Sequence, residues 1–226
     1  MNIRLVCLDL AGTTVSDDGA VERAFMSAVA TSGIEVGSED DDIALAVFRQ
    51  TRGRSKIEVF RLIFGNENDA VTANRAFEQA YAEHVDAGSV RALPGAEETI
   101  VRLRDAGIRI CLTTGFAPVT RDKLMDRLDW DRLVELALTP EDVGRGRPYP
   151  DMILAAARQL DIDDLTDVAV VGDTPSDMAA GTAAGAGLVI GVLTGSATSD
   201  ELYDAGATDV IPSVLGVLDL VGMGVR

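Results

Sequence analysis

The sequence predicts an α/β fold, a doubly wound parallel sheet that carries an inserted, all-helical domain. Three observations lead to this fold class. The chain opens on a short apolar run, residues 3–8, that ends in Asp9. Residues 20–85 then repeat apolar side chains at helical spacing only, and from residue 90 onward short apolar runs alternate with helical segments. Such alternation is typical of a parallel sheet with helices on both faces.

The first element is a buried strand that brings one carboxylate to a loop. Residues 3–8 are apolar except for Arg4, and Asp9 is followed by Leu10 and the small residues Ala11 and Gly12. An apolar run with this abrupt polar end is typical of a central strand in a parallel sheet. In open α/β sheets, ligands bind at this end of the strands.

Four helices are predicted next. Their apolar faces comprise Val21, Ala24, Phe25, Ala28 and Val29 in the first; Ile43, Ala46 and Val47 in the second; Ile57, Phe60, Ile63 and Phe64 in the third; and Ala70, Ala73, Phe77, Tyr81 and Val85 in the fourth. Gly33 and Gly65 end the first and third helices. The acidic run at 39–42 is expected to be a solvated helix start, because negative charge there suits the helix dipole.

The remaining residues alternate between strands and helices. Strands are predicted over residues 108–112, 134–138, 168–171 and 188–193, helices over 93–106, 118–128, 150–160 and 175–184, and a last small strand and helix over 209–221. The first strand belongs to the same sheet, so the helical block is an insertion with hinges near 15–19 and 87–93. We expect a core of residues 1–15 and 89–226 and a cap of residues 16–88.

Composition and charge narrow the function. The net charge of −17 argues against a nucleic-acid or anionic-membrane partner, because phosphate contacts need clustered Lys and Arg. A small anionic substrate stays compatible with it, since a local site can override the overall field. The sequence start lacks signal-peptide features and no apolar run approaches the roughly 20 residues of a membrane span, so a cytoplasmic protein is expected. Cys7 and Cys111 are expected to be buried thiols, and a homodimer is among the oligomeric states left open.

Three further polar clusters lie at the ends of predicted strands. They are Thr113-Thr114-Gly115, Gly144-Arg145-Gly146-Arg147-Pro148 and Gly172-Asp173-Thr174-Pro175-Ser176-Asp177. Because the carboxyl ends of parallel strands meet at one edge, these clusters and Asp9 are expected to share a crevice. Asp9, Asp173 and Asp177 offer the oxygen ligands that Mg²⁺ prefers, and an Asp can attack phosphorus. Thr114 and Arg147 suit the equatorial oxygens of a phosphoryl group, so phosphoryl chemistry is predicted.

The clusters resemble, in order along the chain, the four motifs of the haloacid dehalogenase-like (HAD) hydrolase superfamily: Asp9-Leu-Ala-Gly-Thr13, Thr114-Gly115, Arg147-Pro148 and Gly172-Asp173-Thr-Pro-Ser-Asp177. The resemblance implies a Rossmann-like core with a helical cap inserted after the first motif, Asp9 as the nucleophile, and a small phosphonate or phosphate substrate. It implies Mg²⁺ held by Asp9, Asp173, Asp177 and the backbone carbonyl of Ala11. It also implies phosphoryl-group binding by Ala11, Gly12, Thr13 and Gly115.

Ala11 departs from the phosphatases of this superfamily, which carry a second Asp at this position to protonate the departing alkoxide. The branch with Ala here is the phosphonatases, or phosphonoacetaldehyde hydrolases, to whose motifs residues 9–14, 146–150 and 172–178 are similar. Cleavage of a P–C bond expels carbon, so the leaving group needs an electron sink rather than a proton. A Lys that forms a Schiff base with the aldehyde supplies that sink.

Lys56 is the candidate for this Schiff base. It stands at the start of a predicted cap helix, where the phosphonatase cap presents its Lys. The basic residues of this chain are mostly arginines, and its only lysines are Lys56 and Lys123. Arg cannot form an imine, so a Lys at this position is informative. Lys56 also fits two other interpretations, a charged residue that lines the substrate entrance and a solvated surface Lys. The chain departs from the phosphonatases at Val59, where they have His, and at Phe116, where they have Tyr.

Other functions compete with P–C cleavage. One is a phosphatase acting on a small organic phosphoester, such as a phosphoglycolate- or sugar-phosphate-like compound, whose leaving group needs no acid. Another is a metal-free dehalogenase, against which the pair Asp173 and Asp177 argues. A non-catalytic binding or regulatory domain with an inherited fold is the alternative of a different class.

Residues outside the motifs are given structural roles. His84, the only histidine, lies one helical turn from Tyr81 and is expected to be structural. Ser16 and Asp17 are assigned to the hinge, and Trp130 is expected to anchor a helix end. Arg145 is expected either to assist the neighbouring motif Arg or to face water.

Overall fold

The computed structural model describes residues 2–16 and 18–223; Asp17, assigned above to a hinge, lies outside the described residues. The strands of this part are β1 (Leu5–Asp9), β2 (Val15–Ser16), β3 (Arg91–Ala92), β4 (Arg109–Thr113), β5 (Leu136–Leu138), β6 (Val168–Gly172), β7 (Leu188–Val192) and β8 (Asp209–Ile211). Six of them form a sheet in the order β5-β4-β1-β6-β7-β8, in which every neighbouring pair is parallel. The predicted α/β fold is confirmed.

The helices of the described residues are α1 (Ala20–Thr31), α2 (Glu39–Gln50), α3 (Lys56–Phe64), α4 (Glu67–Asp86), α5 (Ala96–Asp105), α6 (Pro118–Leu128), α7 (Pro140–Val143), α8 (Asp151–Gln159), α9 (Pro175–Ala184), α10 (Ser199–Asp204) and α11 (Val217–Leu220). The helices predicted at 118–128 and 175–184 are confirmed to the residue as α6 and α9. The sequence did not predict α7 and α10, because helices of 4 and 6 residues are too short to repeat an apolar face.

The side chains of β1 alternate between two cores on opposite faces of the sheet. Val6 and Leu8 belong to the core that also contains residues of α5 and α6, whereas Leu5 and Cys7 pack with α8 and α9. All four side chains are fully buried, and Cys7 is a free thiol in register with the free, buried Cys111. Helices on both faces explain why this strand is apolar throughout, so its one carboxylate stands at the strand end.

Helices α1–α4 form the predicted bundle, in which α1 and α3 both pack on α4. A row of aromatic rings lies at its centre. Phe25 stacks on Phe48 and Phe60, with ring centroids 4.3 and 5.3 Å apart, and Phe60 contacts Phe77. The chain enters and leaves the bundle through the antiparallel ribbon of β2 and β3. The sequence did not predict this ribbon, because strands of two residues are too short to show an alternating pattern. The division into core and cap at the stated boundaries stays a prediction.

The apolar face predicted for α2 is wrong. Ile43 is 54% exposed and Ala46 lies on the surface, while Val47 is only half-buried. The buried face is instead formed by Ala44 and Phe48. Phe48 stacks on Phe25 at the centre of the bundle, and this ring contact turns the face of Ala44 and Phe48 inward.

The acidic run does begin α2, but it is not solvated throughout. Asp41 is buried and accepts a hydrogen bond from the Gly37 backbone N–H at 2.8 Å. Ser38 caps the helix by accepting from the Asp41 N–H. One member of the run therefore fixes the preceding turn rather than facing water.

Trp130 follows α6 and is fully buried. Its indole N–H donates to Glu97 Oε1 at 3.0 Å, so it anchors the end of that helix, as the sequence predicts. Within residues 2–16 and 18–223, no helix combines the length and the apolar character that crossing a membrane requires.

Candidate active site

Separate elements bring five of the predicted site residues to one pocket at the carboxyl edge of the sheet. Asp9 ends β1, Thr114 follows β4 and Asp173 follows β6. Arg147 precedes α8, and Lys56 is the first residue of α3. All five line a pocket of about 340 Å³. The parallel sheet and the helical bundle thus contribute side chains to the same space.

Three buried carboxylates form a cluster at this pocket. Asp9, Asp173 and Asp177 each offer an oxygen, and these oxygens lie within 4.8 Å of one another. None of the three residues is more than 4% exposed. Asp177 is held by the start of α9, where its carboxylate accepts hydrogen bonds from the backbone N–H and the hydroxyl of Thr174. The helix start therefore fixes one member of the cluster.

The guanidinium of Arg147 lies among these carboxylates. Its Nη1 is 2.7 Å from Asp9 Oδ1 and also contacts Asp177. Burial raises the pKa of Asp9 from 3.8 to about 6, although the charge of Arg147 opposes the increase. Burial, together with the charges of Asp9 and Asp177, raises the pKa of Asp173 well above its usual value. One guanidinium does not balance three carboxylates, so the cluster strongly resists full ionisation.

This donor set suits a hard divalent cation. Three carboxylate oxygens within 4.8 Å of one another can bind a single ion, and Mg²⁺ takes carboxylates, waters and substrate oxygens as ligands. A divalent charge also offsets the like-charge repulsion that burial makes costly. The cluster can therefore hold a metal ion. Ala11 lines the same pocket, and the role of its backbone carbonyl as a further ligand stays a prediction.

Glycines let the backbone approach the carboxylates closely. A Cβ on Gly12, whose φ is +92°, would lie 2.6 Å from Asp173 Oδ2. A Cβ on Gly195 would overlap the carboxylate of Asp173, and one on Gly172 would overlap that of Asp177. A side chain at any of these three positions would displace a member of the cluster.

We expect Gly195→Ala to weaken Mg²⁺ binding about tenfold or more, because the added methyl group forces Asp173 out of place. Calorimetric titration of Mg²⁺ into the metal-free protein measures the affinity. Ser196→Ala is the matched control, since it keeps the backbone N–H that donates to Asp173 and should bind Mg²⁺ like the wild type. Equal affinity in Gly195→Ala and the wild type would contradict the metal assignment of Asp173.

The loop after β7 contributes site residues that the sequence analysis did not select. Thr194 Oγ1 donates to the Gly12 carbonyl at 2.6 Å, and the Ser196 backbone N–H donates to Asp173 Oδ2 at 3.3 Å. Thr194, Gly195 and Ser196 all line the pocket. The sequence does contain a signal for these residues, because the Thr-Gly-Ser run follows an apolar strand just as the other polar clusters do.

Thr13 lies behind the cluster. It is fully buried, and its hydroxyl donates to Asp173 Oδ1 at 3.2 Å. It therefore helps to orient a carboxylate, while Gly12 and Gly115 line the pocket directly. Binding of a phosphoryl group by Thr13, Gly12 and Gly115 stays a prediction.

Lys56 is a buried lysine that faces aromatic rings. It is 7% exposed, and its Nζ lies 5.5 Å from the ring centroid of Phe116 and 5.9 Å from that of Phe77. Its Nζ donates to the Arg54 carbonyl and its backbone N–H to the Gly115 carbonyl, both at 3.3 Å. A Cβ on Gly115 would lie 2.5 Å from the Arg54 carbonyl oxygen. This tight contact holds Lys56 at the pocket, so the interpretation as a solvated surface Lys is wrong.

Comparison with known proteins identifies the family. A family model described as haloacid dehalogenase-like hydrolase matches residues 3–185. The chain is a haloacid dehalogenase-like hydrolase. It is 32% identical over 219 residues to a phosphonoacetaldehyde hydrolase of Bacillus cereus, in a match that covers 87% of this chain and 78% of the relative.

Solved structures agree with this assignment. The hydrolase is similar to a phosphonoacetaldehyde hydrolase-like protein from Oleispira antarctica, with a TM-score of 0.82, 25% identity, and coverage of 98% of this chain and 92% of the other. It is equally similar to a hydrolase from Pseudomonas syringae, with a TM-score of 0.82, 25% identity, and coverage of 96% and 97%.

Arg145 and His84 are not among the residues that line the pocket of this hydrolase. The Arg145 side chain is 58% exposed, binds Asp151 through an Nε–Oδ1 contact of 3.0 Å and stacks on Tyr149. Of the two interpretations of Arg145, the one in which its side chain faces water is therefore right. His84 is half-buried in the last turn of α4.

Without metal, the hydrolase is expected to lose stability as the pH rises through about 6. Because the pKa of Asp9 is raised on folding, the folded state binds more protons than the unfolded state between about pH 4 and 6. The stability that this proton contributes is present below about pH 4 and is lost as Asp9 ionises, by about 2–3 kcal/mol.

Urea unfolding in EDTA checks this expectation. The free energies of unfolding of the wild type and Asp9→Asn are compared at about pH 4.5 and about pH 7.5. Relative to the wild type, the variant should be more stable at the higher pH than at the lower one. The comparison isolates Asp9 from the other titrating groups. A stability difference that does not change with pH would contradict the raised pKa.

Proposed function

We propose that the protein is a Mg²⁺-dependent hydrolase that cleaves the carbon–phosphorus bond of phosphonoacetaldehyde or a close analogue. The observation that carries the proposal is a buried lysine, Lys56, that lines the same pocket as the buried carboxylate of Asp9. The presence of Ala11 two residues after Asp9 supports it, since no acid stands there to protonate an alkoxide. Similarity to a Bacillus cereus phosphonoacetaldehyde hydrolase points in the same direction.

Asp9, Asp173 and Asp177 would hold the Mg²⁺ ion. When bound, the ion supplies positive charge that offsets the carboxylates and the substrate oxygens. A bound ion would share with Arg147 the negative charge of Asp9 and Asp177, both of which the guanidinium contacts. Arg147 and Thr114 can then bind equatorial oxygens of the phosphonate, whose charge grows in the transition state.

Lys56 acts on the aldehyde end of the substrate. Its neutral amine adds to the carbonyl carbon, and loss of one water molecule leaves an imine that is protonated to an iminium ion. The rings of Phe77 and Phe116, with centroids 5.9 and 5.5 Å from Nζ, present faces that stabilise a cation. The same rings exclude water around the new C=N bond.

Asp9 acts on phosphorus. One carboxylate oxygen attacks, the P–C bond breaks, and its electron pair moves into the iminium to give an enamine on Lys56 and a phosphoryl group on Asp9. Water then hydrolyses the aspartyl-phosphate to inorganic phosphate. Protonation of the enamine carbon and hydrolysis of the resulting imine release acetaldehyde and restore the amine. No step requires an acid at position 11.

A substrate panel with reductive trapping tests the proposal. Phosphate release with Mg²⁺ is measured on phosphonoacetaldehyde, phosphoglycolate and a sugar phosphate, and the first is also incubated with borohydride. The proposal expects preference for the phosphonate and a reduced adduct on Lys56. Release from the phosphoesters alone, without adduct, would instead support the phosphatase function. Absence of turnover on every compound would support a non-catalytic domain.

A further inference from the structure

A carboxylate on α4 shares a second, smaller cavity with Lys56. Glu78 lines this cavity together with Lys56, Ser55 and Asn74. The cavity measures about 10 Å³, which is room for one water molecule. Neither Glu78 nor Asn74 belongs to a motif identified in the sequence, and neither lines the larger pocket.

The two oxygens of Glu78 have different surroundings. Oε2 accepts a hydrogen bond from the Thr120 hydroxyl of α6. Oε1 is buried and has no hydrogen-bond partner among the described residues. A buried carboxylate oxygen without a partner is costly, so such an atom usually has a function. Thr120 fixes the side chain while leaving one oxygen available.

We propose that Glu78 acts as a positioning residue for Lys56. Across the small cavity, the Glu78 carboxylate takes up a proton from the Lys56 ammonium group. The inference rests on the proposed function of Lys56. A proton leaves Nζ as the lone pair becomes available to attack the aldehyde carbon, and Glu78 passes from carboxylate to carboxylic acid. Glu78 then gives this proton to the imine nitrogen, which forms the iminium ion and restores the carboxylate. No oxidant or further reactant is needed.

The electrostatics of Glu78 agree with this role. Burial raises the pKa of Glu78, while the hydrogen bond from Thr120 and the positive charge of Lys56 lower it. The negative charge of Glu141 also raises the pKa of Glu78. A carboxylate with a raised pKa is a better proton acceptor, because its basicity is closer to that of an amine.

Rapid mixing of the protein with phosphonoacetaldehyde and borohydride measures the rate of adduct formation by intact mass. Glu78→Gln keeps the shape and the acceptor oxygen for Thr120 but cannot take up a proton, and it should slow adduct formation about tenfold or more. Raising the pH should restore its rate, because hydroxide then deprotonates the amine. Glu83→Gln, the same change at an exposed position of the same helix, should keep the wild-type rate. Glu78→Asp should retain more rate than Glu78→Gln.

Each result decides the proposal. An equal rate in Glu78→Gln and the wild type overturns it, and so does a loss that persists at high pH, which would show a structural role. If Glu78→Gln does not fold, Asn74→Leu fills the cavity with apolar atoms and should slow adduct formation, whereas an unchanged rate overturns the proposal. Absence of any adduct on the wild type overturns the proposed function of Lys56 as well.

Discussion

Replacing Asp9 by asparagine is expected to reduce turnover by about four orders of magnitude or more. The amide cannot attack phosphorus, and it also removes one of the three carboxylates whose oxygens lie within 4.8 Å of one another. Phosphate release with saturating Mg²⁺ measures the loss. Acid quenching of the wild type during turnover should trap a phosphoryl group on the peptide that contains Asp9, and the variant should show none.

Asp41→Asn is the matched control for this change. Asp41 is also buried, but it lies in α2 and binds the Gly37 N–H instead of joining the carboxylate cluster. Its substitution should lower stability and leave turnover per folded molecule unchanged. Turnover by Asp9→Asn within a few fold of the wild type would show that another group attacks phosphorus.

The candidate site at the carboxyl edge of the sheet was predictable because its signals are local. A strand buried on both faces is apolar throughout, so the polar residue at its end is visible in the sequence. Asp9 ends such a strand, and Thr114 and Asp173 each follow one; the parallel arrangement places these strand ends at one edge. The same rule also marks Thr194, at the end of β7, as a site residue.

Contacts between helices that are distant in sequence were not predictable in this way. Glu78 follows Phe77 on α4 and has the sequence pattern of a solvated helix position, yet α6 packs over it and Thr120 binds it. The rotation of α2 was also missed, since it depends on which ring Phe48 stacks on. These features arise from tertiary packing between segments that are distant in sequence, and periodicity carries no information about them.

Lys56→Arg is expected to reduce turnover of phosphonoacetaldehyde roughly a thousandfold or more, because it keeps the charge but cannot form an imine. Lys123→Arg is the matched control. Lys123 is the only other lysine of the chain and binds Asp86 at 2.7 Å on the surface, so its replacement should leave turnover unchanged. Incubation with phosphonoacetaldehyde and borohydride should give a reduced adduct on the control variant and none on Lys56→Arg.

A second substrate separates loss of the Schiff base from general damage to the site. The leaving group of p-nitrophenyl phosphate departs without a proton or an imine, so its Mg²⁺-dependent hydrolysis needs Asp9 but not Lys56. Lys56→Arg should retain this activity within a few fold while losing the phosphonate reaction. If both activities fall together, Lys56 supports the fold of the pocket. If the phosphonate reaction survives, the electron sink is not Lys56, and the Schiff-base assignment is wrong.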